Sequence, residues 1–137
     1  MGTEITASGE SGASGTTFDA GCIFCLILSG KIPATVVRET ERTLAFRDIA
    51  PQAPTHVLVI PKTHAYPNAV ELASGDPALA AELLREAGEV AAAEGITEGG
   101  YRIIFNTGLD ARQSVFHVHL HVLGGALLGA SAGVAPE

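Results

Sequence analysis

Residues 116–125 alternate histidine with aliphatic side chains and end in two glycines: Phe-His-Val-His-Leu-His-Val-Leu-Gly-Gly. A period of two is typical of a strand that buries one face. Such a strand turns its aliphatic side chains to one side, namely Val118, Leu120 and Val122. It turns three of the chain's five histidines to the other side, with neighbouring imidazoles about 6.5–7 Å apart, namely His117, His119 and His121.

Three interpretations of this histidine face are open from the residues themselves. The first is that the histidines fill a half-polar strand face, although packing is a poor explanation for three in alternation. The second is a metal site, since imidazole is a common zinc ligand. The third is nucleophilic catalysis at phosphorus, because a neutral imidazole can attack while neighbouring imidazolium groups donate hydrogen bonds. The spacing alone does not separate the second interpretation from the third.

The composition narrows the class of partner. The chain has 137 residues, enough for one domain with its own core, and a net charge of −7. This acidic balance argues against nucleic acid as a partner. The longest apolar run, residues 20–28, is too short to span a membrane, and the N-terminus lacks the basic segment of a secretory signal. We therefore predict a cytoplasmic protein with no nucleic-acid and no membrane partner.

Capping residues and periodicity predict an α+β domain. Residues 1–18 are rich in Gly, Ser and Thr and are predicted to form a disordered N-terminal tail, so the domain spans residues 19–137. Asp76 predicts the start of one long helix that Gly95 ends, and a short helix is expected within residues 19–30. Five strands are expected, mostly antiparallel because their connections are short, at residues 35–39, 43–48, 56–60, 101–106 and in the histidine segment.

Residues 47–64 and 113–125, together with residues 106–108 (Asn-Thr-Gly), closely resemble the histidine-triad (HIT) family. The nearest match is its Hint-like branch, in the bacterial form that has a Cys-x-x-Cys zinc site. The resemblance covers residues 21–125. It implies a HIT-like fold, a five-stranded antiparallel sheet with one long and one short helix. It also implies a homodimer whose sheet extends across both protomers, with the 101–106 strand and the long helix at the interface.

The resemblance further implies an activity, namely cleavage of nucleoside 5′-phosphoramidates or related nucleotidyl compounds at the α-phosphorus. The reaction passes through a covalent nucleotidyl-histidine intermediate and needs no organic cofactor. The implied substrate is a purine nucleotide with an AMP or GMP moiety. The implied catalytic residues are His119 as nucleophile, His121, His56 and Ser114. The implied nucleotide-binding residues are Asp48, Asn106, Gln113, Ser114, His119 and His121. The alternative is a nucleotide-binding regulatory or scaffold protein with little turnover.

The residue types fit these implied roles. A neutral imidazole, with an ordinary pKa of about 6.5, is a competent nucleophile near pH 7. The carboxylate of Asp48 can accept hydrogen bonds from ribose hydroxyls, although a turn residue at a strand end is the plainer interpretation. Three apolar residues are candidates for a base pocket and equally for the core, namely Phe24, Leu28 and Phe46.

The two cysteines of the chain, Cys22 and Cys25, form a Cys-x-x-Cys pair. A disulfide is disfavoured in a cytoplasmic protein, and Ile23-Phe24 lacks the context of a redox motif. The remaining interpretations are half of a zinc site and two thiols packed as small apolar side chains. The resemblance implies a structural zinc ion with the ligands Cys22, Cys25, His64 and His117.

Two features depart from the Hint pattern. Arg112 stands where that pattern commonly has glycine, directly before Gln113. The chain after Gly125 lacks the aromatic and proline ending of many Hint proteins. Since that ending influences the choice of substrate, the leaving group and the base preference do not follow from the resemblance.

Overall fold

The computed structural model describes residues 18–130. The strands are β1 (Val36–Glu39), β2 (Thr43–Arg47), β3 (Thr55–Pro61), β4 (Tyr101–Ile104) and β5 (Leu120–Gly124). The helices are α1 (Ile23–Leu28), α2 (Ala69–Gly75) and α3 (Pro77–Glu94), and Leu109–Ala111 form a 3-10 turn. The strands make one sheet in the spatial order β1-β2-β3-β5-β4, with every neighbouring pair antiparallel. The predicted α+β class and five-stranded antiparallel sheet are confirmed.

Apolar side chains on the two faces of the sheet form two separate buried clusters. The first packs α3 against the sheet and includes Val57, Val59, Val118, Leu120 and Val122. The second packs α1 against the other face and includes Phe24, Leu28, Phe46, Leu58 and Ile60. Because side chains alternate along a strand, β3 supplies both clusters from successive residues. We call them the α3 cluster and the α1 cluster.

The long helix α3 has the predicted bounds. The side chain of Asp76 accepts a hydrogen bond from the main-chain N–H of Leu79 at 3.0 Å, which caps the first turn. Gly95 ends the helix in the left-handed conformation, with a φ of 74°. The predicted apolar stripe is buried against the sheet, namely Leu79, Leu83, Ala87, Val90 and Ala91.

The helix α2 was not foreseen, since only one short helix was expected. It begins where the side chain of Asn68 accepts a hydrogen bond from the main-chain N–H of Glu71 at 2.9 Å. Asp76 ends α2 and also begins α3, so no loop separates the two helices. The signal for α2 was present as an Asn with a Glu three residues later, a helix-start pattern.

The strand β5 is shorter than the alternation predicted, because it begins only at Leu120. The preceding residues bond to the last residue of β3 and to the connection that follows it, and not along a strand ladder. The main-chain N–H of Val118 donates to the carbonyl of Tyr66 at 2.9 Å. The imidazole Nε2 of His117 lies 2.8 Å from the carbonyl oxygen of Pro61. Of the three triad histidines, only His121 therefore lies in a strand.

Some predictions fall on residues outside the described part of the chain. The structure describes none of residues 1–17 and 131–137, so it tests neither the predicted tail nor the end of the domain. Phe18, the last residue of that predicted tail, packs against the α1 cluster. Among residues 18–130, no helix has the length and apolar character needed to cross a membrane.

Candidate active site and metal centre

The register of β3 and β5 brings two buried histidines together. Leu58 faces His121 and His56 faces Leu123 in this antiparallel pair, so the two histidines are diagonal neighbours on one face of the sheet. The Nε2 atom of His56 lies 2.9 Å from Nδ1 of His121. The Oδ2 atom of Asp48, directly after β2, lies 3.5 Å from the same Nε2. These three side chains form one polar cluster on the α1 side of the sheet.

The imidazole of His119 is held by the main chain beside this cluster. Its Nδ1 lies 2.9 Å from the carbonyl oxygen of His117, and because a carbonyl only accepts, Nδ1 carries the hydrogen. In a neutral imidazole the other nitrogen, Nε2, then keeps its lone pair. The side chain is 4% exposed, and this burial lowers its pKa. His119 is therefore a neutral imidazole with one basic nitrogen available at neutral pH.

Burial also keeps the neighbouring imidazoles neutral. It is the largest cause that lowers the pKa of His121 to about 3, and the nearby His119 and His56 lower it further. Burial likewise lowers the pKa of His56, against the opposing effect of the Asp48 carboxylate. The sequence interpretation of charged imidazolium donors does not describe this site, because a buried location penalises the charged form. Any hydrogen bond from these rings comes from a neutral N–H group.

A cavity of about 400 Å³ opens beside Asp48 on the α1 side of the sheet. Its apolar lining includes Phe24 and Phe46, whose rings meet edge to face with centroids 5.7 Å apart. The same Phe24 ring packs edge-on against His119 at 4.9 Å. Leu28 is buried in the α1 cluster and is not among the residues that line the cavity. Two of the three base-pocket candidates thus lie where an aromatic base could enter, next to the triad.

The side chain of Gln113 holds the loop between β4 and β5 together through hydrogen bonds to the main chain. The amide of Gln113, which is 4% exposed, accepts from the main-chain N–H of Gly108 at 2.8 Å and donates to the carbonyls of Pro67 and Val115. Ser114 follows it and is exposed to solvent. Asn106 is half-buried two residues after the end of β4. The polar residues predicted near the phosphate therefore lie in one loop that precedes His117.

A second group of side chains lies at the N-terminus of α1. Its four ligand atoms lie within 4.8 Å of one another and belong to Cys22, Cys25, His64 and His117. The Nδ1 of His117 is 3.6 Å from Sγ of Cys22, 3.7 Å from Sγ of Cys25 and 3.2 Å from Nδ1 of His64. Tetrahedral zinc bonds place neighbouring nitrogen and sulfur ligands about 3.3–3.8 Å apart. The three distances from His117 are close to the spacing that a tetrahedral ion requires.

The outer contacts of this group also fit a metal. The Nε2 of His117 donates to the carbonyl of Pro61, which leaves Nδ1 unprotonated toward the two sulfurs. The Nε2 of His64 faces Oδ2 of Asp19 at 3.5 Å. Histidine ligands commonly hold their second nitrogen against a carbonyl or a carboxylate in this way. The two sulfurs share one hydrogen: a hydrogen bond with Cys25, followed by those with the two imidazoles, lowers the pKa of the Cys22 thiol, and the same contact raises the pKa of the Cys25 thiol.

The cluster of Asp48, His56 and His121 also brings three ligand atoms within 4.8 Å, but its hydrogens do not fit a metal. The main-chain N–H of Gln52 donates to Nδ1 of His56 at 3.0 Å. Since a neutral imidazole has one hydrogen, Nε2 of His56 carries it and points at Nδ1 of His121. A hydrogen therefore occupies the place that an ion would need, and this cluster is a hydrogen-bonded chain.

A model of the HIT domain matches residues 29–127. The chain belongs to the HIT family. The purine nucleoside phosphoramidase of Escherichia coli (strain K12) is 40% identical over 107 residues, which cover 78% of this chain and 89% of that protein. A 14 kDa zinc-binding protein of Zea mays is 46% identical over 110 residues, with coverages of 78% and 84%. The structure of a HIT family hydrolase from Legionella pneumophila matches with a TM-score of 0.75 and 49% identity, over 80% of this chain and 96% of that one.

The matched HIT domain begins after both cysteines, so half of the candidate metal site lies outside it. Sequence reasoning missed the groups that orient the site, namely Asp19, the amide of Gln52 and the carbonyl of Pro61. Two of these three are main-chain atoms, which have no signature in a sequence. The cytoplasmic location stays a prediction.

Proposed function

We propose that this HIT protein hydrolyses or transfers nucleotidyl groups at the α-phosphorus of purine nucleoside 5′-phosphoramidates or related compounds. The observation that supports this most directly is the state of His119. Its Nδ1 hydrogen is bound by the carbonyl of His117, so Nε2 is an unprotonated nucleophile beside an aromatic cavity. The likeness to a purine nucleoside phosphoramidase is consistent with this reaction.

The residues divide the reaction into two displacements. Nε2 of His119 attacks the α-phosphorus, the bond from phosphorus to the leaving nitrogen breaks, and the amine leaves with a proton supplied from solvent through the Ser114 hydroxyl. Water then attacks the same phosphorus and releases a proton to solvent, the bond to His119 breaks, and the nucleoside monophosphate is released. The carbonyl of His117 accepts the Nδ1 hydrogen of the cationic nucleotidyl-imidazole throughout.

Other side chains bind the nucleotide. Oδ2 of Asp48 is buried and makes no hydrogen bond within residues 18–130, which leaves a carboxylate oxygen for the ribose hydroxyls at the wall of the cavity. Phe24 and Phe46 pack against the base. His121, Asn106 and the loop at Gln113 and Ser114 face the phosphate, where donors stabilise the charge of the transition state. His56 orients His121.

We further propose a structural zinc ion held by Cys22, Cys25, His64 and His117. Two thiolates and two neutral imidazoles form a closed set without an open position, so the ion would tie α1 to the sheet and take no part in the reaction. The homodimer also stays a proposal. It is supported by β4, which forms one edge of the sheet and leaves Tyr101 and Ile103 at 36% and 38% exposed.

The test is a panel of adenosine and guanosine 5′-phosphoramidates and dinucleotides, with release of the nucleoside monophosphate measured by chromatography. We expect the phosphoramidates to be cleaved. We expect His119→Gly to lose turnover while it still binds AMP in calorimetry, and mass spectrometry of the quenched wild type to find the nucleotidyl group on His119. AMP binding without release from any substrate would favour the regulatory or scaffold alternative.

A further inference from the structure

The main-chain amide of Gln52 begins a chain of two hydrogen bonds that ends at His121. Its N–H donates to Nδ1 of His56 at 3.0 Å, and Nε2 of His56 lies 2.9 Å from Nδ1 of His121. Gln52 lies in the loop before β3, whereas His121 lies in β5. Both imidazoles are buried, at 3% and 0% exposure. The chain therefore links a surface loop to the interior of the candidate site.

Only one arrangement of hydrogens satisfies this chain. A main-chain N–H only donates, so Nδ1 of His56 holds a lone pair and Nε2 carries the hydrogen. That hydrogen needs an acceptor 2.9 Å away, so Nδ1 of His121 also holds a lone pair. The hydrogen of a neutral His121 must then be on Nε2. If His121 carried its hydrogen on Nδ1, two N–H groups would face each other at this distance.

The neighbouring His119 has the opposite arrangement, because the carbonyl of His117 requires its hydrogen on Nδ1. The ring centroids of His119 and His121 are 5.2 Å apart. Two adjacent imidazoles are thus set in opposite tautomers by two main-chain atoms, one donor and one acceptor. One ring presents a lone pair on Nε2 and the other presents an N–H there.

We infer that the main-chain amide of Gln52 is a positioning group for the reaction, which acts through His56 to fix His121 as a neutral donor at Nε2. The inference rests on the proposed function, in which His121 faces the phosphate oxygens. A neutral donor suits this place, since a charged one would have to be buried beside His119. The opposite tautomer would present a lone pair to the phosphate and repel it.

The carboxylate of Asp48 adds to the same selection. Its Oδ2 lies 3.5 Å from Nε2 of His56 and makes no hydrogen bond with it, so it acts through its charge. A negative charge there favours a hydrogen on that nitrogen and disfavours one on Nδ1. The donor from Gln52 and the charge of Asp48 thus select one tautomer of His56 from opposite sides of the ring.

The first test reads the tautomers directly, without substrate and without a variant. The full chain is labelled with ¹⁵N-histidine, and two-bond ¹⁵N–¹H correlation spectra at pH 7.5 identify which ring nitrogen carries each hydrogen. We expect Nε2–H for His56 and His121 and Nδ1–H for His119. A hydrogen on Nδ1 of His56 or His121, or fast exchange between both tautomers, would overturn the inference. Failure of the proposed function would be seen in a separate measurement, as the absence of product release from any substrate by this same protein, whatever the tautomers are.

The second test removes the amide hydrogen by Gln52→Pro, with Gln52→Ala as the matched control that keeps it. Both variants lose the side-chain hydrogen bond of Gln52 to the carbonyl of Ala50, so their difference reports the lost amide hydrogen together with the backbone restriction that proline adds. We expect the proline variant to lose the single tautomer of His56 and about tenfold in kcat relative to the alanine variant, with KM little changed. A folded proline variant with mixed tautomers and the kcat of the alanine variant would contradict the inference. If the proline variant does not fold, the wild-type spectra still decide.

Discussion

The carbonyl oxygen of His117 accepts a hydrogen bond from Nδ1 of His119, with 2.9 Å between the two atoms, while the imidazole of the same His117 faces Cys22 and Cys25. One residue therefore belongs to both the candidate metal centre and the support of the proposed nucleophile. Phe24, between the two cysteines, packs edge-on against the imidazole of His119. Loss of the proposed metal is thus expected to disturb the proposed reaction, although the proposed role of the ion is structural.

The first prediction concerns this connection. We expect protein purified without chelator to contain close to one zinc ion per chain, and Cys22→Ser with Cys25→Ser to contain less than about a tenth. A ligand present at about 1,000 times its Kd stabilises the folded state by about 4 kcal/mol, so we expect a loss of that order in urea unfolding, together with a lower kcat.

Serine can keep the helix cap that the Cys22 sulfur provides to the N–H of Cys25, so a lost cap does not explain a loss of stability at this position. The measurements are elemental analysis, urea unfolding and steady-state kinetics on the wild type and the double variant. If the zinc-free wild type had the same melting temperature as the zinc-containing wild type, the proposed metal centre would be refuted.

The second prediction concerns Arg112, which follows the 3-10 turn with a φ of 67°. Among residues 18–130 it is the one non-glycine residue with a positive φ. Side chains at such a position cost about 1–2 kcal/mol that glycine avoids. We expect Arg112→Gly to raise the free energy of unfolding by about 0.5–1 kcal/mol after the greater chain entropy of glycine is included. Arg112→Ala keeps the strain and is the control, and equal stabilities of the two variants would contradict this explanation.

The third prediction concerns pH. The folded pKa of His121 is lowered to about 3, from about 6.5 in the unfolded chain. Between these values the unfolded state binds more protons, so stability falls as pH decreases below about 6.5. At pH 5 the titration of His121 alone lowers the free energy of unfolding by about 2 kcal/mol relative to neutral pH.

Urea unfolding at pH 7.5 and pH 5 checks this expectation. The control is His121→Asn, in which the amide oxygen can replace Nδ1 as the acceptor of the His56 hydrogen but does not titrate. Between pH 7.5 and pH 5, we expect the free energy of unfolding to fall by about 2 kcal/mol less in this variant than in the wild type. An identical loss in both proteins would show that His121 is not the group responsible.

The fourth prediction concerns Asp76, which ends α2, begins α3 and bonds to Arg42 at 2.9 Å. We expect Asp76→Ala to cost about 1–2 kcal/mol of unfolding free energy, mostly from the lost cap, since exposed ion pairs contribute little. Asp76→Asn keeps the cap and loses the charge, so we expect it to retain most of the stability. If the asparagine variant is as unstable as the alanine variant, the ion pair and not the cap is the main contribution.

Local signals in the sequence predicted the elements well, because each depends on neighbouring residues. Asp76 and Gly95 mark the two ends of α3, and the alternation around Leu120 marks one buried face. The helix α2 was missed although Asn68 and Glu71 signal its start. A seven-residue helix has little periodicity to recognise, and it is stabilised by its contacts with α3.

Side-chain identity predicted where the candidate site lies but not how it is arranged. The alternation did not show that the chain reaches β5 only at Leu120, because that depends on the bond from Val118 to the distant Tyr66. Nor could it show the tautomers of His56 and His119, since main-chain atoms at Gln52 and His117 determine them. Contacts between positions far apart in the chain, or with the backbone, leave no local pattern.

The two buried clusters on opposite faces of the sheet imply two levels of local stability. The eighteen-residue α3 covers one face, whereas the six-residue α1 covers the other and is too short to be stable without tertiary contacts. Amide hydrogens of α1 should therefore exchange with solvent through partial openings that leave the α3 side folded. Part of the cavity wall lies on α1, and the proposed metal ligands Cys22 and Cys25 lie at its first turn. The segment that lines the proposed nucleotide pocket is therefore also the one expected to open first when no metal is bound.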